Sequence, residues 1–114
     1  MKLLNLAGFA AFLYVIAQSV YAHPLTEWEC RAYANDAYNV AKVRDMGVDR
    51  GTVLQALQLY LNNKPANSYI KDVHDLNMVV KMVNKAFDSD EEPPLAFSER
   101  NYNGCVSESR DKEV

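Results

Sequence analysis

The chain has 114 residues, with 12 lysines and arginines against 15 aspartates and glutamates, for a formal net charge of −3. That length suits one small domain, and the acidic balance argues against a nucleic-acid partner, which would want a basic face. With two cysteines, no C-x-x-C pair and no C-x-x-C-H run, nothing in the sequence supports a thiol oxidoreductase or a covalent haem protein.

The first stretch reads as an export signal. Lys2 supplies a positive start, Leu3 to Ala17 is an apolar run broken only by Asn5, and Val20-Tyr21-Ala22 offers a cleavage site. The run is short for a spanning helix, which needs about 20 apolar residues. The expectation is therefore a signal peptide over 1–22, cleaved after Ala22, with no stable membrane anchor after cleavage. Cleavage would remove Lys2 and take the net charge from −3 to about −4. The product would be a periplasmic or secreted domain over 23–106, followed by a disordered tail over 107–114.

The organising helix follows, from Thr26 to Gly47. Thr26 and Glu29 have the spacing of a capping box, Gly47 is placed to end the helix, and alanine recurs at 32, 34, 37 and 41. At about 100° per residue, Cys30, Tyr33, Ala34, Ala37, Tyr38, Val40 and Ala41 share one broad face. A thinner stripe of Trp28, Ala32, Val43 and Met46 runs along the opposite side. A helix apolar on two sides is expected to be central and buried on both. The competing reading leaves the Trp28 stripe exposed, where it would meet a partner.

Asp49 is placed to cap a second helix over about 50–63, with Val53, Leu54, Leu57, Tyr60 and Leu61 on one face and Leu59 off it among polar residues. Pro65 follows its end. A third helix is predicted from about Ser68 to Phe87. Its core stripe is Tyr69, Val73, Leu76, Val80, Val83 and Phe87, widened by Met78, Val79 and Met82, and its polar side holds His74, Asn77, Lys81 and Lys85. Asp88 to Pro94 reads as an acidic, proline-ended loop. A short fourth helix over about Leu95 to Cys105 would pack through Leu95, Phe97 and Tyr102, with Ser98 as its cap and Gly104 weakening it.

In an exported protein the default for Cys30 and Cys105 is a single disulfide, worth about 4 kcal/mol in the chain-entropy model. Arg44 falls near the middle of the apolar face of the first helix. It is expected to serve carbonyls at that helix's end or to pair with Asp72 or Asp75 across a helix contact. Cleavage would also leave His23 as the N-terminal residue, where its amine and imidazole form a copper-chelating pair. His74 would be a third nitrogen ligand and Met46, Met78 and Met82 further soft donors. Asp88-x-Asp90-x-Glu92 has the start of a calcium-loop spacing without its glycine or bidentate glutamate, so a solvated loop is expected there. No nucleophile motif or paired-carboxylate site is visible, and neither a catalytic role nor a cofactor is expected.

The pattern Cys30-x3-Ala34-x2-Ala37-x6-Arg44-Asp45-x-Gly47, with a later apolar helix and a final cysteine at 105, resembles small exported helical proteins of Gram-negative bacteria. Leu59-Tyr60-Leu61-Asn62-Asn63-Lys64-Pro65, with the apolar helix to Phe87, resembles the later half of periplasmic immunity proteins that neutralise cell-wall amidases delivered by type VI secretion. The chain departs from that second group in the acidic linker between its last long helix and its second cysteine. What the resemblance implies is an inhibitor that occludes an envelope enzyme.

Together these readings give an all-α protein, a small bundle of three main helices plus a short C-terminal helix, stapled Cys30 to Cys105. Its expected role is to bind a protein partner in the cell envelope, with Trp28, Met46 and Leu59 as candidate anchors. A copper carrier using His23 and a non-catalytic accessory subunit are the alternatives.

Overall fold

The computed structural model describes residues 24–113, with side chains up to Ser109. The expected signal peptide over 1–22 and His23 lie outside the described residues. Those described form four helices and no strand, α1 (Glu27–Asp45), α2 (Arg50–Asn62), α3 (Val73–Asp88) and α4 (Pro94–Glu113). The architecture is an all-α bundle closed by a disulfide between Cys30 and Cys105, whose Cα atoms are 5.7 Å apart.

Local signals set the ends of α1 as the sequence predicts. The Thr26 hydroxyl accepts from the Glu29 amide at 3.1 Å, and the Glu29 carboxylate accepts from the Thr26 amide at 2.9 Å. At the other end Gly47 has φ of 94°. Its amide and that of Val48 donate back to the Arg44 and Val43 carbonyls, closing the last turn as a glycine stop does. Asp49 then caps α2 by accepting from the Thr52 amide at 2.8 Å.

α1 is the hub, and α4 and α3 both pack on it. Its broad face buries Cys30, Tyr33, Ala34, Ala37, Ala41 and Arg44. The alanines let α4 close in until the Ser98 hydroxyl donates to the Ala34 carbonyl at 2.8 Å and Phe97 is fully buried. The opposite stripe is not buried as expected. Trp28 is 67% exposed and Met46 77%, at the two ends of the stripe, while Ala32 and Val43 between them are half-buried and Ala32 packs against the core.

Three further expectations are corrected. The third helix starts at Val73 under an Asp72 cap that accepts from the Asp75 amide at 2.9 Å, not at Ser68. Ser68, Tyr69 and Ile70 are buried, but in the loop before it. The face of α3 that is fully buried runs through Asp75, Val79, Met82, Val83 and Ala86. Val83 is thus core as expected, Val79 and Met82, expected only to widen the stripe, lie at its centre, and Met78 is half-buried.

α4 is not a short helix ending near Cys105. It begins with Pro94 in the first turn, where a missing amide costs nothing, passes through Gly104 and reaches Glu113. The expected tail is thus helical over most of its length. It has something to pack on: Ser109 is buried, and its hydroxyl accepts from the Leu25 amide at 3.1 Å. Ser98 bonds to α1 and does not cap, and Leu95 is 63% exposed instead of packed.

Candidate functional site

Because α3 and α4 each pack on α1 and make few direct contacts with one another, a groove of about 490 Å³ opens between them. Its α3 wall carries His74, Asn77, Lys81 and Lys85, residues at helical spacing on the polar side predicted from sequence. Its α4 wall carries Arg100, Asn101, Gly104 and Glu108. A Cβ built on Gly104 would meet nothing within 4 Å, so the absent side chain widens the groove at that point.

The floor is built from α1. The Tyr33 hydroxyl donates to Asn101 Oδ1 at 3.2 Å, and the Asn101 amide in turn donates to the Phe97 carbonyl at 2.8 Å. Burial, with the Glu108 carboxylate adding to it, pushes the Tyr33 phenol up to about 12. At neutral pH Tyr33 is therefore a hydrogen-bond donor and not a base. Its ring meets that of Tyr69 edge-on, with centroids 6.1 Å apart.

Charge on the rim is unevenly satisfied. His74 Nε2 lies 3.1 Å from Glu108 Oε1. Arg100 forms a two-pronged pair with Glu92 at 2.6 and 3.0 Å, which holds the Glu92 carboxyl below its usual range and raises the guanidinium. Lys81 and Lys85 are exposed, and neither has an ion pair or hydrogen bond among the described residues. In a chain of net charge −3, the groove concentrates cationic side chains opposite a single lining carboxylate.

Trp28, Met46 and Leu59 are all exposed, Leu59 by 62%. The structure does not gather them. Trp28 and Met46 stand at opposite ends of α1, about 27 Å apart at 1.5 Å per residue, and Leu59 is on α2. Of the further donors considered for a copper site, His74, Met78 and Met82 all line the α3–α4 groove and Met46 does not. Met82 is in the core at 1% exposure while Met46 is on the surface, and His74 faces Glu108. Among the described residues no three His, Cys, Asp or Glu side chains are grouped to hold a metal ion.

Arg44 has a structural role, with partners other than those expected. Its guanidinium donates to the carbonyls of Ala86 at 2.8 Å, Ser89 at 3.2 Å and Glu92 at 2.7 Å, and to Asp45 at 2.9 Å. It therefore holds the end of α3 and the acidic loop, not Asp72, Asp75 or the terminal carbonyls of its own helix. Two acids of the expected calcium-like spacing are paired, Asp88 at the end of α3 with Arg50 and Glu92 in the loop with Arg100.

Sequence reasoning placed Lys81 and Lys85 on one side of a helix but did not set them against Arg100. The usable signal was the matching i, i+4 spacing of 77, 81 and 85 with that of 100, 104 and 108. Among the described residues no helix is long and apolar enough to cross a membrane. No family model, curated protein or solved structure matches the chain.

Proposed function

We propose that the chain is a small binding protein of the cell envelope, of the immunity or inhibitor kind, which occludes an envelope enzyme by gripping an acidic element of it in the α3–α4 groove. The observation that carries this reading is the pair of unpartnered lysines, Lys81 and Lys85, facing Arg100 across an open groove in an acidic chain. Such a surface attracts a partner of opposite charge and fixes its register. The bridge is compatible with an oxidising compartment, and the apolar N-terminal run fits export.

The test is capture of the partner from envelope extract with wild-type protein and with Lys81→Glu/Lys85→Glu, followed by assay of the captured enzyme. The expected result is a hydrolase silenced at one-to-one stoichiometry, at least tenfold weaker binding by the double variant, and loss of affinity with rising salt. Unchanged binding by the charge-reversed variant would sink the reading. The exposure of Trp28 and Leu59 favours a second reading, in which they anchor an accessory subunit in a larger assembly. In that case Trp28→Ala/Leu59→Ala, and not the lysine variant, loses the partner.

A further inference from the structure

A second cavity lies beside α3, sharing Met82 with the basic groove and no other lining residue. It measures about 280 Å³, opens to the surface and is lined by α1, α2, α3 and the loop before α3. Its base is the bundle core: Ile70, Val79, Met82 and Val83 line it and are each under 5% exposed. Its outer wall is α2, through Leu57 and its neighbours. None of the residues of α2 is fully buried, so this wall is the least firmly seated part of the bundle.

One charged group lines the cavity. Asp36, on α1, accepts a 2.5 Å hydrogen bond from the Tyr69 hydroxyl through Oδ2. Its Oδ1 takes no hydrogen bond from the described residues, and no cationic side chain is among the cavity's lining residues. Burial raises the Asp36 carboxyl above its usual value, against the lowering effect of the Tyr69 hydroxyl. Burial raises the Tyr69 phenol too, so Tyr69 stays a donor. An apolar space with one convergent carboxylate is the composition of a small-molecule site.

We propose that this cavity binds a small hydrophobic amine, its apolar body against Ile70, Val79, Met82 and Val83 and its ammonium group on Asp36. Size and charge select the ligand. A cavity of about 150 Å³ suffices for benzene, so the space here suits one ring carrying a short alkyl amine. The lone carboxylate prefers a cation over a neutral donor, because a charge-assisted hydrogen bond is about twice as strong as a neutral one. Met82 borders both sites, but Asp36, Ile70, Val79 and Val83 line this one alone, so it stands or falls without the groove proposed above.

The experiment is a titration of the oxidised protein with 2-phenylethylamine and with its neutral counterpart 2-phenylethanol, followed by methyl NMR. The amine is expected to shift the methyl signals of Ile70, Val79, Met82 and Val83 in a saturable way and to bind at least tenfold more tightly than the alcohol. Asp36→Asn, which keeps an oxygen for the Tyr69 hydroxyl, should bring the amine down to the affinity of the alcohol and leave the alcohol unchanged. Absence of shifts at these methyls, equal affinity of the two probes for the wild type, or retention of the amine preference in Asp36→Asn would each overturn the assignment.

Discussion

Helices α1 and α2 follow one another in the chain, and both begin at a well-made cap, yet they are held in opposite ways. α1 buries six residues between two neighbours and is covalently tied through Cys30. α2 buries none fully. It is held by Val53, Leu54, Leu57 and Leu61 against the core, by Arg50 on Asn84 and Asp88, and by the Tyr60 hydroxyl donating to Ser68. Amphipathic pattern and capping decide whether a helix forms, but burial depends on neighbours on more than one side.

The contrast can be broken at its strong end first. Reducing the bridge, or replacing Cys30 and Cys105 with serine, should cost about 4 kcal/mol, given a loop of 75 residues. Urea unfolding with and without reductant measures it, and a loss below about 1 kcal/mol would show that α1 does not depend on its staple. Arg44→Ala comes next, with an expected cost of about 2–3 kcal/mol, because carbonyls of Ala86, Ser89 and Glu92 lose their donor. The urea midpoint should fall at unchanged slope.

At the weak end, Leu57→Ala should cost only about 1 kcal/mol, well under the 2–5 of a fully buried leucine. Native-state hydrogen exchange sharpens the point: α2 amides should open at lower free energy than those around Cys30 and Ala37. Equal protection of the two helices would erase the distinction.

The smallest effect is electrostatic and lies between the two helices, at Asp36. Its folded carboxyl is raised, so the folded state holds the proton more tightly and stability falls as pH rises from the unfolded value near 3.9 through the higher folded one. Asp36→Asn, which cannot ionise, should therefore be the more stable protein at neutral pH and should lose that advantage in acid. Thermal unfolding of both proteins across pH 3–7 checks the sign.

What was legible in the sequence follows the range of the interaction involved. Thr26 with Glu29, Gly47 and the Asp49 cap act over a few residues, and each is where the pattern puts it. The bridge was legible because a chain with two cysteines leaves only one pairing. The buried face of α3 was displaced because its position depends on where α1 lies, which periodicity does not carry. The carbonyl partners of Arg44 sit more than 40 residues away. The extension of α4 past Cys105 depends on Ser109 meeting Leu25, at a separation of 84. The groove and the Asp36–Tyr69 pair were invisible for the same reason: each takes residues from helices whose approach only the fold sets.

The position of the bridge also decides how the molecule carries mechanical load. Cys30 lies in the first turn of α1 and Cys105 well along α4, so α2, α3 and the loops between them all fall inside one covalent ring. Tension applied to the two ends of the chain passes through the sulfur–sulfur bond. The interior helices are shielded from it. Once the bridge is reduced, the same pull runs through Arg50, Tyr60 and the rest of the lightly seated second helix.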